Sequence, residues 1–125
     1  MTQPSAELQE LLGKLANLEV FAIFMTPTEK FQSPYTPEGD KLLASHLRFL
    51  FTLQNENTLL ASGPLDLDTE RIEGMCIVRA GSRQDAEAIA RREPYAAAGW
   101  RTNTVRAWQL NEGLLVEPAK TLAES

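Results

Sequence analysis

One side chain in this sequence is an obvious carrier of protons, the single histidine, His46. An imidazole changes its charge near neutral pH, and it is the most frequent general acid or base in enzymes. A lone histidine on an apolar helix face is nevertheless more often packed in a core than used in chemistry. The residues around His46 leave both interpretations open.

The single cysteine, Cys76, is the second reactive group. It excludes an intrachain disulfide, which is typical of a reducing compartment, so we expect a cytoplasmic protein. Cys76 lies in an apolar strand pattern, which favours a small buried hydrophobe over a nucleophile. One histidine and one cysteine make a His/Cys metal site improbable, and no glycine-rich phosphate loop is present, so we predict no metal and no cofactor.

Charge and hydropathy restrict the partners of the chain. It has 125 residues with a net charge of -5, and its isoelectric point is about 4.9. An acidic surface without a basic stripe disfavours nucleic acid and anionic membranes. The sequence shows neither a signal-peptide pattern nor a run of roughly 18 apolar residues that would suit a membrane span. We therefore expect a small soluble domain whose ligand is a small molecule.

The elements that must position these groups follow from hydrophobic periodicity. Strands are predicted over 18–25, 58–63, 72–79 and 101–110, and helices over 5–17, 38–55 and 83–92, with a turn over 95–99 and an extra arm or short helix in the tail. His46 lies on the apolar face of the second helix. Gly63-Pro64 is expected to end the second strand, and Gly74 indicates a bulge or a close backbone approach.

The segment 26–37 is predicted to be a loop, because it contains three prolines. It also carries two aromatic residues, Phe31 and Tyr35. Long loops with aromatic side chains can fold over a binding site. The alternative is that the rings only hold the loop against the body of the domain.

The order strand, helix, strand, strand, helix, strand is the split βαβ pattern of ferredoxin-like folds. It predicts an α+β fold with a four-stranded antiparallel sheet and both helices on one face. The first strand is apolar on both faces, so the second face of the sheet also needs a cover. We therefore predict a homodimer in which two sheets pack face to face.

Several short motifs, taken in order, resemble the YCII-related domain family of small bacterial proteins over roughly residues 18–110. These motifs are His46-Leu47, the run Leu59-Leu60-Ala61-Ser62-Gly63-Pro64, the alanines Ala86, Ala88 and Ala90, then Glu93-Pro94-Tyr95 with Gly99, and finally Ala107-Trp108. The resemblance implies a dimeric α+β barrel. Residues 1–17 then form an N-terminal helical extension and residues 111–125 a C-terminal tail.

The resemblance also implies a site. The family pairs the helix histidine with an aspartate in an Asp-Pro-aromatic motif, and His46 and Glu93 occupy these positions here. Glutamate keeps the charge and adds one methylene. At least one relative is implicated in dehalogenating a chlorinated hydroxyquinol, and related barrels bind or isomerise small aromatic and lactone compounds. Direct hydrogen bonding between His46 and Glu93 would require about 2.6–3.2 Å between heavy atoms.

The leading hypothesis is a small-molecule lyase or isomerase in which His46 and Glu93 transfer a proton on a small aromatic or carbonyl compound. The substrate-binding candidates are Ser62 as a hydrogen-bonding group, Gly63 and Pro64 as a turn that admits a ligand, and Tyr95 and Trp108 as aromatic walls. The same residues also suit an ordinary turn and an ordinary core or interface. The alternatives are a non-catalytic ligand-binding or sensing dimer and a structural or interaction protein.

Overall fold

Four antiparallel strands form the sheet of this protein, which the computed structural model describes from residue 3 to residue 124. The strands are β1 (Leu18–Pro27), β2 (Leu59–Leu65), β3 (Glu73–Val78) and β4 (Arg101–Leu110), and the helices are α1 (Ala6–Leu12), α2 (Pro37–Asn55), α3 (Arg83–Arg92), α4 (Pro94–Ala97) and α5 (Val116–Glu124). The spatial order is β2-β3-β1-β4. The prediction of an α+β ferredoxin-like fold is confirmed.

The core lies between the sheet and the helices α2 and α3. Phe21, Ile23 and Met25 alternate along β1 and share one buried cluster with Leu53 of α2 and Ile89 of α3. Successive strand residues point to opposite faces, so these odd-numbered residues of β1 mark the helix-covered face. Each fully buried side chain of this size contributes roughly 1.5–3 kcal/mol to folding.

Helix α2 begins where its sequence contains strong start signals. The Thr36 hydroxyl caps it by accepting a hydrogen bond from the Gly39 amide at 3.0 Å, and Pro37 occupies the first turn. A capped N-terminus with proline in the first turn is a favoured helix start. His46 and Leu50 are buried on the face that meets the sheet. The helix therefore directs the histidine towards the interior, as its periodicity predicted.

Helix α3 ends at Arg92, and the chain then turns at Glu93. The segment predicted as a turn over 95–99 instead begins with the short helix α4. The Glu93 carboxylate causes this difference, because it accepts a hydrogen bond from the Tyr95 amide and so caps the new helix, with Pro94 at its first position. One residue thus ends α3 and starts α4.

Strand β2 differs from its prediction, because it continues through Gly63-Pro64 to Leu65. It pairs only with β3 and is an edge strand, where the missing amide of proline is tolerated. Gly63 and Pro64 therefore lie in an extended strand and not in the predicted turn, and a Cβ added at Gly63 would meet nothing within 4 Å. The register of the β2–β3 pair shifts between Leu59 and Ala61, and not at Gly74, where a bulge was one of the two predictions.

The two chain extensions are both partly helical. Helix α1 is shorter than the predicted range 5–17, because it ends before Gly13. None of its residues is buried, so no packing against the domain stabilises a longer helix. The tail contains helix α5, the second of the two forms predicted for it. Among residues 3–124, no helix is both long and apolar enough to cross a membrane.

The second face of the sheet is only partly covered. Val20, on this face, is 1% exposed and shares a small cavity with Ala119 and Ala123 of α5. At this end of β1, α5 of the same chain supplies part of the cover that was expected from a second copy. Trp108 pairs with Val20 in the sheet but remains 43% exposed.

Candidate active site

His46 and Glu93 meet in the interior, with the Nδ1 atom of the imidazole 2.9 Å from the Oε2 atom of the carboxylate. Both residues are buried. They are 47 positions apart in the chain, and α2 and the α3–α4 junction bring them together. The separation falls within the range for a direct hydrogen bond, so the extra methylene of glutamate does not prevent the contact.

The Glu93 carboxylate is held by two further donors. Oε2 also accepts from the Tyr95 amide at 2.6 Å, and Oε1 accepts from Nδ2 of Asn103 at 3.2 Å. Burial raises the pKa of Glu93, but the hydrogen bonds from His46, Tyr95 and Asn103 outweigh it, and the net pKa lies below the usual 4.5. Glu93 is therefore ionised at neutral pH.

An ionised carboxylate can only accept hydrogen bonds, so the Nδ1 atom of His46 must be the donor. In the neutral imidazole the proton on Nδ1 leaves a lone pair on Nε2. The described residues offer Nε2 no hydrogen-bond partner, and His46 lines an open cleft. Nε2 is therefore the ring atom that a ligand can reach.

The cleft has a volume of about 1080 Å³ and lies between α2 and the edge strand β2. Its buried end is formed by His46, Tyr95 and Arg101. Its exposed part combines the apolar residues Leu47, Phe51 and Leu67 with the charged residues Glu70 and Arg71. A pocket that is mainly apolar and has a few convergent polar groups is typical of a small-molecule site.

The predicted substrate-binding residues divide into two groups. Tyr95 lines the cleft, and its ring centre lies 4.9 Å from that of His46. Ser62, Gly63 and Pro64 also line it, on the β2 side and near the solvent.

Trp108 lies outside the cleft, contrary to the expectation that it forms a wall. Strand alternation explains the difference, since Trp108 shares its face of β4 with Thr104 and Arg106, away from α2 and α3. The other face of β4 points towards the site and the core, and it carries Arg101, Asn103 and Val105.

Two residues on this inward-facing side of β4 were not identified from the sequence. Asn103 donates to Glu93, and Arg101 lines the cleft. The signal was available, because Asn103 and Arg101 precede the inward-facing Val105 by two and four positions in a strand. Polar residues in the inward phase of a strand indicate either a site or a satisfied buried network.

The aromatic residues of the loop before α2 behave differently from each other. Phe31 packs on Tyr95 with ring centres 5.5 Å apart, and it also contacts Trp100. Tyr35 is exposed, although it lines the cleft. Phe31 holds the loop against the body of the domain, which was one of the two predicted roles. The loop also lines the cleft, which is related to the other role, folding over a binding site.

Cys76 does not take part in the site. Burial, together with the negative charge of Glu93, raises the pKa of its thiol to about 12. A thiol with so high a pKa is protonated at neutral pH and is a poor nucleophile. The interpretation of Cys76 as a small buried hydrophobe fits this environment.

The structure therefore combines an α+β fold, built on a four-stranded antiparallel sheet, with a buried histidine–carboxylate pair beside a cleft. The sequence model of the YCII-related domain matches residues 20–109, and the chain belongs to that family.

Known proteins that are similar to this chain include one from Bacillus subtilis and one from Burkholderia phenoliruptrix. The uncharacterised protein YjpA of Bacillus subtilis strain 168 is 29% identical over 85 residues, which cover 68% of this chain and 88% of YjpA. The solved structure of 5-chloro-2-hydroxyhydroquinone dehydrochlorinase (TftG) from Burkholderia phenoliruptrix AC1100, in complex with 2,5-dihydroxybenzoquinone, has a similar fold. The TM-score is 0.56 at 20% identity, over 72% of this chain and 93% of that one.

Proposed function

We propose that this protein is a small-molecule lyase or isomerase in which His46 transfers a proton on a small aromatic or carbonyl compound and Glu93 orients the imidazole. The observation that carries the proposal is the 2.9 Å contact between Nδ1 of His46 and the buried carboxylate, on a histidine that lines the cleft. A base oriented by a carboxylate, with its second nitrogen free, is a recurring catalytic arrangement.

In the proposed reaction, Nε2 of His46 accepts a proton from a hydroxyl group or an activated carbon of the substrate. The electron pair released from that bond forms a new double bond. In an elimination this electron pair expels a leaving group as an anion, and the imidazolium then releases its proton to solvent. In an isomerisation the imidazolium instead returns the proton to another atom of the substrate. The Glu93 carboxylate stabilises the imidazolium between these two steps.

The similar fold of a dehydrochlorinase supports the choice of reaction class. That protein acts on a chlorinated hydroxyhydroquinone, which is a small aromatic compound, and it is described with a quinone bound. The cleft beside His46 is large enough for a single ring, because drug-sized ligands occupy pockets of about 300–1,000 Å³. We extend only the reaction class, and not the substrate, to this chain.

The proposed assembly is a homodimer in the cytoplasm, built on the partly exposed face of the sheet. Phe24, Met75 and Ile77 on that face are only half-buried, and Trp108 is exposed. A second copy would cover these side chains and close the two sheets face to face. The buried, unpaired Cys76 is in keeping with a reducing compartment.

The test is a turnover screen of hydroxylated and chlorinated quinols and hydroxylactones, followed by absorbance and chromatography. His46→Gln is expected to lower turnover by about 10²–10⁴-fold, as for the loss of a general base, while ligand affinity changes little. Glu112→Gln, on the exposed loop after β4, is the matched control and is expected to turn over at the wild-type rate.

Each outcome of this screen has a clear meaning. Turnover that is the same in His46→Gln and in wild type would contradict the proposal. Tight binding without turnover, retained in His46→Gln, would point to a ligand-binding or sensing module instead. Circular dichroism of both variants establishes that any loss is not caused by unfolding.

A further inference from the structure

We infer that Arg101 binds an anionic group of the ligand, a carboxylate or an oxyanion on a small ring, at the buried end of the cleft beside His46. The inference deepens the proposed function, on which it rests for the chemistry at His46. It adds a specificity-determining residue and narrows the ligand to an acidic aromatic or enolic compound.

The guanidinium of Arg101 is buried without a counterion. The residue is 8% exposed, and within residues 3–124 no carboxylate forms an ion pair with it. Nη2 donates to the carbonyl oxygen of Ile72 at 3.2 Å, whereas Nε is buried with no acceptor among the described residues. Burying an unpaired charge costs several kcal/mol, so such groups are usually paired. A bound anion in the cleft, which Arg101 lines, would supply the missing counterion.

The surroundings of Arg101 fix its head group in place. The Cζ atom lies 4.5 Å from the ring centre of Tyr95 and 5.2 Å from that of Phe31. Both distances are typical of cation–π contacts. Gly74 lies on a further side of the head group, and a Cβ there would be 3.4 Å from Nη1 of Arg101, in van der Waals contact. The cation is therefore preorganised, which reduces the entropic cost of binding an anion.

Glu93 is the buried carboxylate in this region, but it does not neutralise Arg101 by direct contact. Its oxygens already accept hydrogen bonds from His46, the Tyr95 amide and Asn103. Burial lowers the pKa of Arg101, and the charges of Tyr95 and Glu93, acting without direct contact, oppose only part of that lowering. Apart from the bond to the Ile72 carbonyl oxygen, the donors of the guanidinium are therefore not used by Glu93.

The charges that line the cleft support an acidic ligand. They comprise Arg71 and Arg101 against a single acidic residue, Glu70, in a protein whose net charge is -5. The lining thus carries one net positive charge in an acidic protein, which favours small anions over small cations. It combines the buried Arg101 with apolar side chains that can contact the rest of a ring.

The competing interpretation is that Arg101 only clamps Phe31 and Tyr95. To separate the two, the affinities of hydroxybenzoates and of the matching neutral hydroxybenzamides are measured by calorimetry. Wild type is expected to prefer the carboxylates by about tenfold or more, as a charge-assisted hydrogen bond would give. Arg101→Met is expected to remove that preference but to leave the benzamide affinities within about threefold. Arg101→Lys is expected to retain part of it.

The control is Arg106→Met, which removes an exposed arginine from the opposite face of β4 and should keep the preference. The inference is overturned if wild type shows no preference for carboxylates, or if Arg101→Met weakens both ligand sets equally, as a structural clamp would. The same measurement on His46→Gln separates the two proposals. Preference for carboxylates should survive there even if turnover is lost, whereas a failure at Arg101 leaves the role of His46 intact.

Discussion

At the residue scale, the site depends on Glu93. Its carboxylate receives donors from three elements, the imidazole on α2, an amide of α4 and the Asn103 amide group on β4. A buried acceptor with this many donors is strongly held in its charged form. The same side chain caps α4, so the chemistry and the local fold share one carboxylate.

Replacing Glu93 with glutamine keeps the size of the side chain but removes its charge. We expect Glu93→Gln to lower the free energy of unfolding at neutral pH by about 1–3 kcal/mol, because buried donors lose a charged acceptor. Urea denaturation followed by circular dichroism measures this change. Glu112→Gln, which is exposed, should be neutral.

The pH dependence of stability gives an independent test of Glu93. The pKa of Glu93 in the folded protein lies below the usual 4.5. Its contribution to the free energy of unfolding is therefore present above pH 4.5 and is lost as the pH falls through the pKa of the folded state. Stability of wild type should therefore fall more steeply than that of Glu93→Gln on acidification from about pH 6 to about pH 3. Parallel curves for the two proteins would contradict this account.

At the element scale, the start of α2 decides where His46 lies. The Thr36 cap and the Gly39 amide are hydrogen-bonded, and the carbonyl oxygen of Ser33 packs directly against the Gly39 α-carbon. A methyl group at Gly39 would overlap that backbone oxygen. The loop and the helix can approach each other this closely only because residue 39 has no side chain.

Gly39→Ala is therefore expected to destabilise the protein. Glycine to alanine in a helix normally stabilises by roughly 0.5–1 kcal/mol, but overpacking against the backbone typically costs 1–3 kcal/mol and is expected to outweigh this gain. Thermal unfolding measures the outcome. Gly63→Ala is the matched control, since a Cβ there meets nothing within 4 Å, and its stability should be unchanged or slightly higher. A stabilised Gly39→Ala would show that the loop moves aside at little cost.

Elements with a clear hydrophobic period were predictable from the sequence. Helix α3 and strand β4 begin and end at the predicted residues, and α2 begins one residue earlier than predicted. The differences arose where a tertiary contact overrode a local signal. Pro64 continues β2 because that strand lies at the sheet edge, and α4 forms because Glu93 caps it.

The site was predictable to a smaller extent. His46 was identifiable as the single histidine on an apolar helix face, and Glu93 through the resemblance of its motif. The positions of Arg101 and Trp108 depend on the phase of β4. Trp108 belongs to the Ala107-Trp108 motif, but it lies on the face of β4 opposite to that of Val105. Propensity does not fix which face of a strand meets the site; packing against α2 and α3 does.

At the scale of the whole molecule, the proposed homodimer can be tested on the half-covered face of the sheet. Ile77→Glu would place a charge there, and burying it between two sheets would cost far more than leaving it in water. We expect this variant to shift the protein from dimer to monomer in analytical ultracentrifugation at micromolar concentration. Leu114→Glu changes a fully accessible residue outside that face and should leave the assembly unchanged. A wild-type protein that sediments as a monomer would contradict the dimer.

The ends of the family domain lie side by side. Leu18, which opens β1, pairs with Leu110, which closes β4, and the Ala16 amide donates to the Asn111 carbonyl oxygen at 2.8 Å. The chain therefore enters and leaves the sheet at one corner, which makes the domain suited to circular permutation. A short connection between these two points would join them without crossing the cleft, and new termini could be opened at the exposed residues 55–57, none of which lines the cleft.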